Sequence, residues 1–237
     1  MKIIFDAGDP WVQYLKKLND LTSEYSAKYL CEIGGGAFPA ISLDQIKKEG
    51  IEYTVFDISR TELDRAPDGY VKVQGDICDP ELKDEGKYDL IFSKMLAEHV
   101  RDARILHANV YKLLKPGGIA LHFFPTLYAS PFVINKIIPE FLAKILFKLF
   151  VQNDPIEHKR FSAYYNWCRG PIKAQIDKLE SLGFEIVEYR GFFGHKYYKK
   201  IPVLRDLHKL MIGFLMHFPN PYLTSFSFVI LRKPLSF

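Results

Sequence analysis

Acidic residues and glycines near the start of the chain combine types that can bind a nucleotide-like ligand. Glu32 precedes three consecutive glycines at 34–36, and Asp57 lies 23 residues after Gly34. Glycines let a backbone turn sharply and approach a ligand closely, because they have no Cβ. A carboxylate about 20 residues further on can accept hydrogen bonds from both hydroxyls of a ribose. The spacing favours this role for Asp57, and capping of the next turn is the alternative.

Apolar segments place these residues at the ends of strands. The run 28–33 predicts the first strand, and the periodic segment 40–48 after Pro39 predicts a helix that stops at Gly50. The N-terminus of that helix would offer free N–H groups to a carboxylate or phosphate. A dinucleotide cofactor is disfavoured, because the third glycine of Gly-x-Gly-x-x-Gly would fall on Pro39.

The rest of the chain alternates predicted strands and helices with short connections. Further strands are predicted at 52–57, 70–78, 87–93, 119–124, 182–189 and 225–232, and helices at 10–21, 96–114, 171–182 and 204–215. Such alternation predicts a parallel sheet with right-handed crossovers.

Several short motifs resemble, in order and spacing, those of class I S-adenosylmethionine-dependent methyltransferases. They are Cys-Glu-Ile-Gly-Gly-Gly at 31–36, Asp57, Gly-Asp-Ile at 75–77, Tyr-Asp-Leu-Ile at 88–91, Ala-Glu-His-Val at 97–100 and Leu-Lys-Pro-Gly-Gly at 114–118. The resemblance implies an α/β fold with a Rossmann-like, doubly wound, seven-stranded sheet. That sheet would be mostly parallel, with an antiparallel strand near its end.

The same resemblance implies S-adenosyl-L-methionine as cofactor and assigns residues to its parts. Glu32 and the backbone of Gly34, Gly35 and Gly36 would hold the amino acid end, and Asp57 the ribose hydroxyls. Ile58 would lie against the adenine, Asp76 with Ile77 would bind its amino edge, and Ser93 would face the sulfonium. The chain has Phe38 where the family often has a third glycine.

An insertion at 126–170 separates the predicted core segments 10–125 and 171–237 of a single domain spanning 1–237. It contains an amphipathic pattern at 139–150 and a mixed aromatic and basic stretch at 158–169. Its place on the substrate side of the sheet favours a helical cap over the cofactor, and ordinary packing is the alternative.

Composition and charge limit where the protein acts. Three cysteines, at 31, 78 and 168, form no disulfide set and no metal-ligand spacing, so no metal site is expected. The same cysteine pattern indicates reduced thiols in a cytoplasmic protein, and neither a signal peptide nor a membrane-spanning segment is predicted. Residues 119–237 carry 16 basic and 8 acidic side chains, a net of +8. This excess and the amphipathic segments at 131–151 and 196–215 permit contact with a membrane surface.

The acceptor of the methyl group is the least determined feature. Methyl transfer depends mainly on alignment, and a general base helps when the acceptor is a hydroxyl. His99, directly after the fourth strand, is the candidate base; His122, His158, Tyr164 and Tyr165 are weaker ones. We expect O-methylation of a small-molecule, glycan or lipid-linked acceptor, and no nucleic acid partner. The alternative function is a non-catalytic cofactor-binding module that docks on a membrane or partner.

Overall fold

The computed structural model describes residues 1–82, 85–127, 162–195 and 202–235. Its strands are β1 (Lys2–Asp6), β2 (Tyr29–Ile33), β3 (Glu52–Asp57), β4 (Val71–Gln74), β5 (Tyr88–Lys94), β6 (Leu114–Pro125), β7 (Glu185–Phe192) and β8 (Phe226–Arg232). Its helices are α1 (Pro10–Glu24), α2 (Leu43–Glu49), α3 (Arg60–Arg65), α4 (Ala103–Leu113), α5 (Lys173–Glu180) and α6 (Pro202–His217). Two 3₁₀ turns, Ala97–His99 and Pro221–Leu223, complete this part of the chain.

The eight strands form one mixed sheet in the order β1-β7-β8-β6-β5-β2-β3-β4. Only β8 runs antiparallel to its neighbours, β6 and β7. The prediction of a mostly parallel, doubly wound sheet with an antiparallel strand near its end is confirmed. The predicted count of seven is one too low, because β1 pairs with β7 at the sheet edge. The sheet therefore includes residues that precede the core segment predicted to begin at residue 10.

Side-chain caps fix where the helices begin. Asp9 accepts from the N–H groups of Trp11 and Val12 at the start of α1, and Pro10 occupies the first helical position. Ser42 caps α2, and Gly50 ends it in the left-handed conformation. The helix predicted from residue 40 thus starts at Leu43, so its N-terminus lies further from the glycines than expected.

The region after β5 differs more from its prediction. A continuous helix was expected over 96–114, but a 3₁₀ turn at Ala97–His99 comes first and α4 starts only at Ala103. The carboxylate of Asp102 accepts from the N–H groups of Arg104 and Ile105, and this cap starts the new helix. His99 consequently lies in a loop at the sheet edge.

Apolar side chains cover both faces of the sheet. One buried cluster lies under α4 and α5 and includes Leu106, Val110 and Leu179. The other lies under α1 and includes Tyr14, Leu18 and Phe123. Strands at the centre of the sheet are therefore buried on both sides, as expected for a parallel α/β sheet.

Most of the predicted insertion, residues 128–161, lies outside the described residues, including the amphipathic pattern at 139–150, the proposed membrane segment at 131–151 and His158. Its two ends are described. The N–H of Leu127 donates to the carbonyl of Cys168 over 3.1 Å, and the N–H of Tyr164 donates to the carbonyl of Glu98 over 2.6 Å. The two ends of the insertion therefore contact each other, and its C-terminal end also contacts the loop after β5. No helix in the described ranges is long and apolar enough to cross a membrane.

Candidate functional site

The sequence-predicted site residues follow three neighbouring parallel strands. β2 pairs with β3 and with β5, and Ile33 lies opposite both Phe56 and Ser93. The residues that follow these positions, Gly34, Asp57 and Lys94, are consequently at one edge of the sheet. Ligands of open α/β sheets bind outside the carboxyl ends of the strands, so this edge is the candidate site.

The turn after β2 requires its glycines. Gly34 and Gly36 have φ of 73° and 46°, which side chains rarely adopt. A Cβ on Gly34 would lie 2.8 Å from Leu96 Cδ1, and one on Gly35 would lie 2.9 Å from Val55 Cγ1. The backbone of the turn is therefore packed where a side chain would not fit.

Glu32 is the centre of what we call the ion-pair cluster, formed by Glu32, Lys94 and Tyr53. Its side chain is 0% exposed, and Oε1 pairs with the Lys94 ammonium. Oε2 accepts from the Tyr53 hydroxyl and, over 2.8 Å, from the N–H of Ala40. Lys94 also donates to the carbonyl of Phe38 over 3.0 Å. Glu32 therefore fixes the segment after the glycine turn from beneath, and it is not open to a ligand.

Asp57 ends β3 beside the glycine turn. One carboxylate oxygen, Oδ1, accepts from the N–H of Ser59 over 2.8 Å, and Oδ2 lies toward Gly36, 3.3 Å from the position of an added Cβ. Partial burial raises the pKa of Asp57. The next residue, Ile58, is 58% exposed, which puts an apolar side chain on the surface next to a carboxylate.

Asp76 and Ile77 follow β4. Asp76 is exposed and its Oδ1 accepts from the N–H of Cys78 over 2.8 Å. The Ile77 side chain is buried, and its carbonyl accepts from Asn109 Nδ2 over 2.7 Å. Of the two, only Asp76 has a side chain at the surface.

Ser93 belongs to a second polar group on the opposite face of the sheet, which we call the imidazole cluster: Ser93, His107 and His122. The Ser93 hydroxyl is fully buried, 2.8 Å from His122 Nδ1. The rings of His107 and His122 are 5.2 Å apart, edge to face. Burial lowers the pKa of His122 to about 4 and that of His107 well below its usual value. Both imidazoles are therefore neutral, and the Ser93 side chain is directed to the interior.

His99 is half-buried in the loop after β5. Its Nδ1 donates to the carbonyl of Ser162 over 3.2 Å, and its Nε2 lies 3.8 Å from Glu98 Oε1. Glu98 is buried, which raises its pKa to about 8, so this carboxyl is mostly protonated at pH 7. Because Ser162 begins the described end of the insertion, the insertion itself orients the imidazole.

Lys94 and Glu98 are the site residues that sequence reasoning missed. Lys94 follows Ser93 directly, and alternation along a strand sends adjacent side chains to opposite faces. Pairing with Glu32, 62 residues away, follows from the register of β2 and β5, which no local spacing rule encodes. The motif that contains His99 also contains Glu98, but nothing in its sequence indicates that the carboxyl is buried.

Comparison with known proteins shows that part of the chain is similar to methyltransferases. Residues 31–122 match the family model of a methyltransferase domain. Over 93 residues the chain is 31% identical to phosphoethanolamine N-methyltransferase 1 of Triticum aestivum. Over residues 31–122 the chain is therefore similar to methyltransferase domains. The wheat match covers 38% of this chain but only 18% of that enzyme.

Two solved structures share the fold of the methyltransferase domain and its surroundings. Phosphoethanolamine N-methyltransferase 2 of Haemonchus contortus, in complex with phosphomonomethylethanolamine and S-adenosylhomocysteine, superposes with a TM-score of 0.59 at 17% identity, covering 94% of this chain and 53% of that one. Geranyl diphosphate C-methyltransferase of Streptomyces coelicolor superposes with a TM-score of 0.55 at 11% identity, covering 92% and 75%. At these identities the likeness concerns the fold.

The carboxyl edge fits S-adenosylmethionine, the cofactor of this domain class. The turn consists of three glycines, two of them in the left-handed conformation, so a ligand can approach its backbone without meeting a side chain of the turn itself. Asp57 has a second carboxylate oxygen beside the turn, suited to a vicinal diol, and the exposed Ile58 offers an apolar surface to a flat ring. Within the described residues no group of His, Cys, Asp and Glu could hold a metal ion.

Proposed function

We propose that this chain transfers the methyl group of S-adenosylmethionine to a small-molecule acceptor. One observation supports this most: the glycine turn, Asp57 and His99 follow three adjacent parallel strands, β2, β3 and β5. Such an edge can hold a nucleoside and an acceptor side by side. When bound, S-adenosylmethionine supplies an electrophilic methyl group, and the protein aligns the acceptor with it.

We assign the cofactor's parts to the chain as follows. The backbone of the turn at 34–36 holds the amino acid end, and Glu32 keeps this turn in place through Ala40 and Lys94. Asp57 accepts from the ribose hydroxyls, and Ile58 lies against the adenine. Asp76 accepts from the adenine amino group, with Ile77 contributing its backbone. Ser93 contributes to the sulfonium end through its backbone, since its hydroxyl bonds to His122.

His99 is the residue we assign to proton removal from the acceptor. Its Nδ1 hydrogen bond to Ser162 leaves Nε2 as the nitrogen with a lone pair. Glu98 beside it is mostly neutral at pH 7, because burial raises its pKa to about 8. The lone pair on an imidazole nitrogen can accept a proton from a hydroxyl or an ammonium group. We favour a hydroxyl oxygen as the acceptor atom, with an amine nitrogen as the alternative.

The acceptor we propose carries an anionic group. Arg101, two residues after His99, is exposed and donates through Nε to the Tyr164 hydroxyl over 2.8 Å. In the part of the chain that the structure describes, Arg101 forms no ion pair with an acid, so its charge is open to an anion. The Haemonchus enzyme holds a phosphorylated amine.

A methyl-transfer assay tests the proposal. Purified protein is incubated with labelled S-adenosylmethionine and acceptors that carry a hydroxyl or an amine, each with and without a phosphate. Label should appear in a phosphorylated acceptor, and His99→Gln should lower turnover by about 10²- to 10⁴-fold while leaving S-adenosylhomocysteine binding intact. His217→Gln is the matched control, since His217 Nδ1 also donates to a backbone carbonyl but lies on α6. Equal turnover of the two variants would remove His99 from the mechanism.

A docking role at a membrane surface is the second candidate, and one feature of α6 favours it. Four large apolar side chains on one stripe of this helix are 62–77% exposed: Val203, Leu207, Leu210 and Phe214. Arg205 and Lys209 lie on the same helix, and an apolar face with basic residues can lie in a bilayer interface. Co-sedimentation with anionic vesicles should carry the wild type, but not Leu207→Glu, into the pellet. A wild type that stays in the supernatant at every salt concentration would end this candidate.

A further inference from the structure

Lys94 lies at the candidate site, where it can bind a ligand as well as form an ion pair with Glu32. It is the last residue of β5, one position beyond Ser93, which is registered with Ile33 of β2. Its side chain is 21% exposed, whereas that of Glu32 is 0% exposed. The ammonium therefore lies between a buried carboxylate and the solvent side of the glycine turn.

Two of the three N–H groups of the Lys94 ammonium donate to described residues, and one does not. A lysine ammonium has three N–H groups and no acceptor. One is directed to Glu32 Oε1 and a second to the carbonyl of Phe38. The third has no acceptor among the described residues, and it is available to one that approaches from the exposed side.

Three other donors near the turn are already engaged. The N–H of Ala40 donates to Glu32 Oε2, and that of Gln45 donates to the capping hydroxyl of Ser42. Helix α2 starts too late and is too short to present a free N-terminus to this turn. Arg65, the basic side chain above Phe38, donates to both carboxylate oxygens of Glu62, over 2.9 and 3.1 Å. Lys94 is thus the cation best placed to meet a carboxylate at the turn.

We propose that Lys94 binds the carboxylate of the cofactor's amino acid end, while its bond to Glu32 holds the ammonium in position. This assignment rests on the proposed function, because it requires S-adenosylmethionine at the edge of the sheet. Glu32 is then a positioning residue that acts through Lys94. A hydrogen bond between the Lys94 ammonium and the ligand's carboxylate is charge-assisted and therefore stronger than one between neutral groups. Binding affinity should consequently depend on that carboxylate.

Two ligands that differ only in the carboxylate test this role. S-adenosylhomocysteine has it, and S-adenosyl-3-thiopropylamine, its decarboxylated analogue, does not. The wild type should bind the first about 10- to 100-fold more tightly in calorimetric titration. Lys94→Met should lose this preference, with weaker binding of S-adenosylhomocysteine and nearly unchanged binding of the analogue.

A double variant separates two roles of Lys94: recognition of the ligand's carboxylate and neutralisation of the Glu32 charge. Lys94→Met leaves a buried carboxylate unpaired, so Glu32→Gln/Lys94→Met removes that charge and keeps the turn intact. The proposal expects the double variant to lack the preference as well, and Lys94→Arg to keep part of it. Equal losses for both ligands in Lys94→Met, or a restored preference in the double variant, would overturn the assignment. Wild-type protein that binds neither ligand would overturn the proposed function and this inference with it.

Discussion

Adjacent residues at the end of β5 lead into two polar clusters of opposite character. Lys94 joins the ion-pair cluster under α1, and Ser93 joins the imidazole cluster under α4. In the first, opposite charges meet and Glu32 accepts three hydrogen bonds from the protein. In the second, burial holds two imidazoles neutral, and His107 Nδ1 and His122 Nε2 have no partner within the described residues.

The difference shows how a buried sheet can carry polar groups on both faces. A buried charge is tolerated only with a close counter-charge and further hydrogen bonds, whereas a neutral polar group costs less when one partner is missing. Charge is thus concentrated beside the glycine turn, where a zwitterionic ligand would bind. The imidazole cluster on the other face remains uncharged within the apolar core.

The largest effect should come from breaking the charge pair. Lys94→Met leaves Glu32 as an uncompensated carboxylate with no access to water, and we expect the free energy of unfolding to fall by about 3–5 kcal/mol. Urea denaturation of the purified variant measures this. Glu32→Gln/Lys94→Met should recover most of the loss, because the amide can still accept from Tyr53 and Ala40. A double variant as unstable as the single one would show that the charge is not the cause.

The next effect concerns the neutrality of the imidazole cluster. The pKa of His122 is about 4 in the folded protein and about 6.5 in the unfolded chain, so the unfolded chain binds more protons between these values. The stability that depends on neutral His122 is fully present above pH 6.5 and is lost as the pH falls toward 4. The loss in the free energy of unfolding amounts to about 3 kcal/mol. We therefore expect the stability difference between wild type and His122→Asn to depend on pH in this window.

Denaturation of both proteins at pH 7 and pH 5 gives the result directly. The wild type should lose more stability than His122→Asn on acidification, because asparagine cannot be protonated but can keep a hydrogen bond to Ser93. A pH-independent difference would mean that His122 is not held neutral. The raised pKa of Glu98 acts in the opposite direction, with stability lost as the pH rises toward 8, and it is common to both proteins.

The smallest effect compares two buried serines. Ser93→Ala removes the partner of His122 Nδ1 and should cost about 1–3 kcal/mol in unfolding free energy. Ser227 on β8 is equally buried, but its hydroxyl has no partner in the described ranges, so Ser227→Ala should be close to neutral. Denaturant titrations of both variants measure the contrast. Equal costs would show that the Ser93–His122 bond adds no stability.

These clusters also show what the sequence could and could not predict. Asp57 and the glycines at 34–36 belong to local strand-to-turn patterns, and the structure has strands ending at Ile33 and Asp57 as expected. β1 was missed because its apolar run is only three residues long and its partner β7 lies more than 180 positions later. The late start of α2 follows from the Ser42 cap, and the break before α4 follows from the Asp102 cap; both capping residues are visible in the sequence.

Lys94 illustrates the same limit at the site. Ser93 was expected to face the ligand because it ends the predicted strand, but the strand continues by one residue and alternation directs the two side chains to opposite faces. A strand end displaced by one residue therefore changes which side chain is presented. Order and spacing of motifs predict the cofactor edge, whereas tertiary pairing decides which side chains reach it.

Equilibrium titration with S-adenosylhomocysteine tests the central claim, that the edge formed by the glycine turn and Asp57 binds the cofactor. Wild-type protein should bind one equivalent, and Asp57→Ala should bind at least about 10-fold more weakly, because the ribose hydroxyls lose a charged acceptor. Asp64→Ala, which removes an exposed carboxylate paired with Arg60 on α3, is the control and should bind like the wild type. Absence of binding by the wild type, or equal binding by Asp57→Ala, would contradict the account.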